Sequence, residues 1–179
     1  SMEEAMRVLE ELSQDERPEI LYAVIHAAGR LFTSKTEVRS RIIKLLDRFL
    51  PNQDPTVRYA ISMVMAFNMR ELSLSEIRQF HSKALPYFYD ADEKHNGIIH
   101  NLMYVTAYWV KVDPEVTLDF LKNWVKHHPK GKPINFSDRF LHTINELKQH
   151  CPIGLEKEVI NWLLDDNKHV IHAARKSIL

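Results

Sequence analysis

One cysteine, four glycines and no surplus of either charge leave little of what usually announces a chemistry. Cys151 has no partner within the chain, which excludes an internal disulfide framework and fits a reducing intracellular compartment, cytoplasmic or nuclear. Glycine this sparse builds no phosphate-cradling loop or dinucleotide fingerprint, and the G-x-S-x-G and H-E-x-x-H patterns are also missing. The 24 basic and 24 acidic residues cancel, so no bulk field draws nucleic acid or an anionic membrane, and any such binding needs a local patch. The longest apolar stretch, 98–112, is broken by His100, Asn101 and Lys111 and falls short of the roughly 20 residues a membrane span needs. A soluble protein with no membrane partner is expected.

The ten histidines raise the question of a metal, because neutral imidazole is a common ligand. Their spacing is poor. His169 and His172 share one helix face, His127 and His128 close another helix, and His142 and His150 lie on a third, with no thiolate pair to complete a zinc site. No metal is expected, and the histidines read as solvent-facing or capping. His150 and Cys151 are neighbours, but adjacent side chains on a helix diverge, so they make no nucleophile and base. No catalytic residue is assigned, no cofactor is expected, and the chain reads as a non-enzyme.

What is present is helix. The eight prolines fall mostly between apolar-periodic stretches, as helix punctuation does. Val38, Ile42, Leu45, Leu46 and Phe49 make one amphipathic stripe. Met6, Leu9 and Leu12 make another, as do Ile77, Phe80, Ala84 and Phe88, then Val116, Phe120, Leu121 and Trp124. Phe140, Leu141, Ile144 and Leu147 follow, then Leu155, Val159, Ile160 and Leu163. Helix starts are marked by Ser34 with Glu37 and Ser73 with Glu76, at capping-box spacing, and by Asp54-Pro55 and Asp113-Pro114, which put an acceptor at the cap and a preset φ behind it. Caps and stripes together predict helices near 3–13, 18–32, 36–50, 55–70, 75–89, 93–112, 114–128, 137–150, 155–164 and 167–179. Residues Ser1 and Met2 read as an expression-vector remnant, and 3–179 as one helical repeat domain cut from a larger protein.

Alternate helices start at Thr36, Ser75, Pro114 and Leu155, every 39 to 41 residues, a period that belongs to two-helix solenoid units. Their partners resemble one another: Pro18-Glu-Ile-Leu-Tyr22-Ala23 aligns with Pro55-Thr-Val-Arg58-Tyr59-Ala60, and Lys168-His-Val-Ile-His172-Ala173 keeps the same apolar and alanine spacing. Ala23, Ala60 and Ala173 are read as the small residues that let neighbouring helices approach.

Asp54-Pro55-Thr56-Val57-Arg58-Tyr59-Ala60 looks like the start of the second helix of a HEAT repeat. The resemblance implies an all-α, right-handed, armadillo-like α-solenoid of about five antiparallel helix pairs, with units 3–32, 36–70, 75–112, 114–150 and 155–179. The family's Asp and Arg are clear at Asp54 and Arg58, while Gly97, Phe140 and His169 interrupt any Asp–Arg ladder. Such an array implies a scaffold that holds a protein partner on its concave face, formed by the second helices. The residues expected there are Tyr22, Arg58, Tyr59, Tyr104, Tyr108, Arg139 and Arg175, joined by Lys130 and Lys132 of the long Pro129–Pro133 connection. A narrower likeness, over 105–125 with Trp124 and over 162–179 with His172-Ala-Ala-Arg175, is to the HEAT-like bacterial DNA-alkylation-repair family. It implies the alternative, a DNA-binding or glycosylase-like protein with nucleic acid as partner.

Overall fold

The computed structural model describes residues 1–33, 36–69, 72–91, 96–127 and 138–178. Ten α-helices and no strand occur among them: α1 (Met2–Leu12), α2 (Pro18–Arg30), α3 (Thr36–Phe49), α4 (Pro55–Phe67), α5 (Leu74–Ala84), α6 (Asn96–Trp109), α7 (Pro114–His127), α8 (Asp138–His150), α9 (Pro152–Leu163) and α10 (Lys168–Ile178). None of these helices is long and apolar enough to cross a membrane.

Local chemistry sets the boundaries. Asp54 caps α4 by accepting from the Thr56 and Val57 N–H groups, with Pro55 supplying its fixed φ at the first helical position. Ser73 and Glu76 close a reciprocal capping box on α5, and the Ser73 hydroxyl and backbone N–H hold the Glu76 carboxyl below the usual carboxylate range. The Ser34 cap lies outside the described residues. Ser1, set aside as a remnant, makes a capping box of its own with Glu4 at the start of α1.

Three of the ends that differ from expectation have a local cause in proline. The helix expected over 75–89 gives way to a 3-10 turn at Leu85–Phe88, because Pro86 has no N–H and its ring crowds the preceding turn. Helix α6 stops at Trp109 rather than 112, ahead of Asp113-Pro114, where the residue before proline avoids the α region. Helix α9 begins at Pro152 instead of 155, because proline at the first helical position starts a helix rather than interrupting one.

The helices group into two compact units, Ser1–Tyr87 and Phe88–Leu179. In the first, α1 packs on α2, α3 packs on α2 and α4, and alternate helices also meet, α2 with α4 and α3 with α5. Its core includes Met6, Ile25, Phe32, Ile42, Leu46, Ile61 and Phe80. In the second unit the same alternation recurs, α6 with α8 and α7 with α9, while α8 and α10 both pack on α9. Trp124, Phe120, Leu121, Ile144 and Leu147 are buried there, and the Trp124 indole Nε1–H donates to the Ala91 carbonyl at 3.0 Å. Thr106 and Thr143 hydroxyls meet at 3.4 Å across α6 and α8, so these buried polar groups satisfy one another.

The close approach of α2 to α4 also uses a residue that was not among those expected. Ala60 is buried, but Ala23 is exposed, and the Ala173 side chain lies outside the described residues. Gly29 is the contact: a Cβ there would stand 2.7 Å from Val64 Cγ2 and 3.1 Å from Asn68 Oδ1. Val64 is a fully buried, stiff side chain and cannot yield cheaply. Gly29→Ala should therefore lower stability by about 1 kcal/mol, the overpacking strain exceeding the gain in helix propensity. Urea unfolding tests this, and an unchanged or raised midpoint would contradict the packing.

Two members of the expected core stripes are outside. Leu12 and Ile160 are exposed, while their stripe-mates Met6, Leu9 and Leu155 are buried. The histidine reading also needs correcting at one position. His81 stands on the Ile77–Phe80–Ala84 face of α5 and is buried, and loss of solvent pushes its pKa down to about 3.

Candidate interaction face

Helix α4 is apolar almost all round, from Pro55 to Phe67, and packing consumes only part of its surface. Val57, Ala60, Ile61 and Val64 turn inward. Tyr59, Met63 and Phe67, spaced four apart, form a stripe on its open side: Tyr59 is exposed, Met63 half-buried, and Phe67 48% exposed. On the adjoining α2, Tyr22 is half-buried and stacks on His26, ring centroids 6.1 Å apart and nearly coplanar at 12°. Helices α2 and α4 pack directly, and each carries aromatic side chains on a surface that this packing leaves at least partly open. Its polar equipment is the tyrosine hydroxyls and the imidazole; its bulk is aromatic and thioether. A surface of this kind favours burial against another apolar surface, with hydroxyls to fix orientation.

Arg58 is on the same helix but not on this surface. Its guanidinium is buried and donates through Nη2 to the Tyr87 carbonyl at 2.9 Å, tying α4 to the 3-10 turn after α5. The spacing of 3.6 residues per turn puts position 58 about 100° from 59, enough to separate an inward from an outward side chain.

In the second unit α6 repeats the pattern on a smaller scale. His100 and Tyr104, one turn apart, meet edge to face at 5.1 Å, and Tyr108 follows one turn later, exposed, its ring perpendicular to that of the buried Trp109. Arg139 lies in the first turn of α8, and Arg175 is exposed on α10. Lys130 and Lys132 lie outside the described residues. The structure thus exposes Tyr59 on α4, leaves Tyr22 half-buried on the adjoining α2, and puts Tyr104 and Tyr108 one turn apart on α6. It adds His26, Met63, Phe67 and His100, which sequence reasoning passed over although the 59, 63, 67 spacing was available.

No family model, curated protein or solved structure matches the chain.

Other groupings are occupied with the fold's own charges. Arg41 of α3 binds Glu3 at 2.6 Å and Glu10 at 2.8 Å on α1, and the guanidinium in turn holds the Glu10 carboxyl below its ordinary range. Glu146 of α8 stands within 4 Å of His142, His150 and Lys111. Among the described residues no cluster of three His, Cys, Asp or Glu side chains is placed to hold a metal ion. Trp124 and Trp162, which belong to the segments similar to the alkylation-repair family, are both core residues.

Proposed function

We propose that the chain is a non-catalytic protein-interaction module, built as a HEAT-like array and holding a protein partner on the faces of its second helices. The observation that carries this reading is the open apolar stripe of α4, with Tyr59, Met63 and Phe67 in line at one-turn spacing. The alternation of packing within each unit supports the array: a helix meets the next but one as well as its neighbour, as stacked hairpins require. In the second unit, α6 carries an aromatic face of its own with Tyr104 and Tyr108. The binding energy concentrates in a few aromatic side chains, and the surrounding polar groups set register.

The alternative partner is nucleic acid, favoured by one feature: α10 carries Lys168, Arg175 and Lys176, all exposed, and no carboxylate. Phosphate contacts by so few cations give weak, strongly salt-dependent binding. One experiment separates the two readings. Peptides selected on the intact chain from a random display library should lose affinity by about thirtyfold or more on Tyr59→Ser with Phe67→Ser, at about 2 kcal/mol for an aromatic hot spot. Selected peptides indifferent to that double substitution would refute the α2 and α4 face. Duplex DNA binding with a steep salt dependence, alongside a failed selection, would move the assignment to nucleic acid.

A further inference from the structure

A groove of about 260 Å³ runs between α1 and α3, lined by Glu10 and Gln14 on one side and by Arg41, Lys44, Leu45 and Arg48 on the other. The three cations recur at one-turn spacing along α3. Arg41 is spent on the fold: Nε and Nη2 donate to the two Glu10 carboxylate oxygens at 2.9 and 2.8 Å, and Nη1 donates to Glu3 at 2.6 Å. That clamp ties the two walls together, and Arg48 Nη1 adds a hydrogen bond to the Ser13 hydroxyl at 3.3 Å. Lys44 and Arg48 are exposed, and among the described residues neither forms an ion pair. Two like charges therefore stand one turn apart on a groove already held in shape. Glu10, neutralised by Arg41, is the only carboxylate among the described lining residues.

We infer that this groove binds a single phosphoryl group, carried by a phosphate monoester or free as inorganic phosphate. Near neutral pH such a group bears about two negative charges, which match the two cations left without a counter-ion. A lone carboxylate ligand would neutralise only one of them. Lys44 supplies a point charge with three donors and Arg48 a planar fork, a set suited to several oxygens of one tetrahedral anion. Gln14, on the opposite wall, offers an amide that donates to those oxygens or accepts from a hydroxyl on the esterified group. A polyanion fits less well. Helix α1 carries Glu3, Glu4, Glu10 and Glu11 against Arg7 alone, so a nucleic acid strand or an anionic bilayer laid across the groove meets like charge on one side. The inference goes beyond the partner-binding reading and uses none of the residues of the α4 stripe.

The intact chain is titrated with inorganic phosphate and with phosphoserine, against sodium chloride at matched ionic strength, and backbone amide shifts are followed by NMR. Saturable shifts centred on Glu10, Gln14, Lys44 and Arg48 are expected, with a dissociation constant of about 1 mM or tighter for at least one probe. Saturation by both probes means that the phosphoryl group alone suffices, and saturation by phosphoserine alone that the esterified group is read as well; either supports the inference. Lys44→Gln and Arg48→Gln, at exposed positions, should each weaken binding about tenfold or more while circular dichroism melts stay unchanged. Glu10→Gln should tighten it, because the substitution removes a carboxylate from the lining and releases Arg41, whereas a purely structural role for these side chains predicts no gain. Shifts that grow without saturation and match those in sodium chloride would overturn the inference, as would binding that Lys44→Gln and Arg48→Gln leave unchanged. Duplex DNA or phosphatidylserine vesicles bound through Lys44 and Arg48, with saturation by neither probe, would also overturn it, showing a diffuse cationic surface in place of a site.

Discussion

Trp124→Ala should cost about 3–5 kcal/mol, the range for deleting a large buried aromatic. The indole is among the largest fully buried side chains in the described structure, packed in the core of the second unit with Phe120 and Leu121 nearby in sequence on α7. Its loss leaves a cavity and also strands the Ala91 carbonyl, which accepts from Nε1 at 3.0 Å. Trp124→Phe separates the two effects. Phenylalanine keeps most of the apolar volume but has no N–H, so it should cost about 1–3 kcal/mol. Urea denaturation followed by circular dichroism measures both. A negligible cost for phenylalanine would mean that the hydrogen bond contributes nothing, equal costs for the two variants would mean that the lost ring volume contributes nothing, and a cost below about 1 kcal/mol for alanine would contradict the burial of the ring.

Acid should destabilise the first unit through His81. In the fold its imidazole is buried and neutral, with a pKa pushed down to about 3 by desolvation. In the unfolded chain it titrates near the ordinary value, about 6.5. Below that value the unfolded state takes up a proton that the fold refuses. The stabilising contribution is therefore complete above about pH 6.5 and is lost as pH falls, by up to about 1.4 kcal/mol per pH unit, until the folded pKa is reached. Between pH 6.5 and 5 the loss amounts to about 2 kcal/mol. His81→Gln removes the titrating group, so the difference between wild-type and variant stability should shrink by that amount over the same interval. Carboxylates such as Glu10 and Glu76 also lose stabilising contacts in acid, but they are common to both chains and cancel in the difference. A His81 ring resonance titrating near pH 6.5 in the folded protein would contradict the account.

These effects show which parts of the structure were legible in the residues. Helix starts at Asp54-Pro55, Asp113-Pro114 and Ser73 could be read because capping is local: the acceptor, the proline and the first turn are within four residues of each other. The start at Cys151-Pro152 was not legible because it has the proline without an oxygen acceptor at the cap. Amphipathic stripes located the core in α3, α5 and α7, where polar residues mark the outer side. They misled at Leu12 and Ile160, since a stripe identifies an apolar face but not how much of it a neighbour covers. Helix α4 shows the same difficulty in stronger form. With few polar residues along it, nothing local tells that Arg58 turns inward while Tyr59 and Phe67 turn out; that depends on where α2, α3 and the turn at Tyr87 arrive. Gly29 was invisible for a similar reason, because its meaning is a 2.7 Å gap to a residue 35 positions away.

The array of stacked hairpins is the claim on which the interaction faces depend, and small-angle X-ray scattering tests it most directly. A dilution series extrapolated to zero concentration keeps association out of the measurement. A closed globule of this length has a radius of gyration of about 16 Å. The array predicts a clearly larger value and a pair-distance distribution skewed towards long distances, whereas about 16 Å with a symmetric distribution would contradict it.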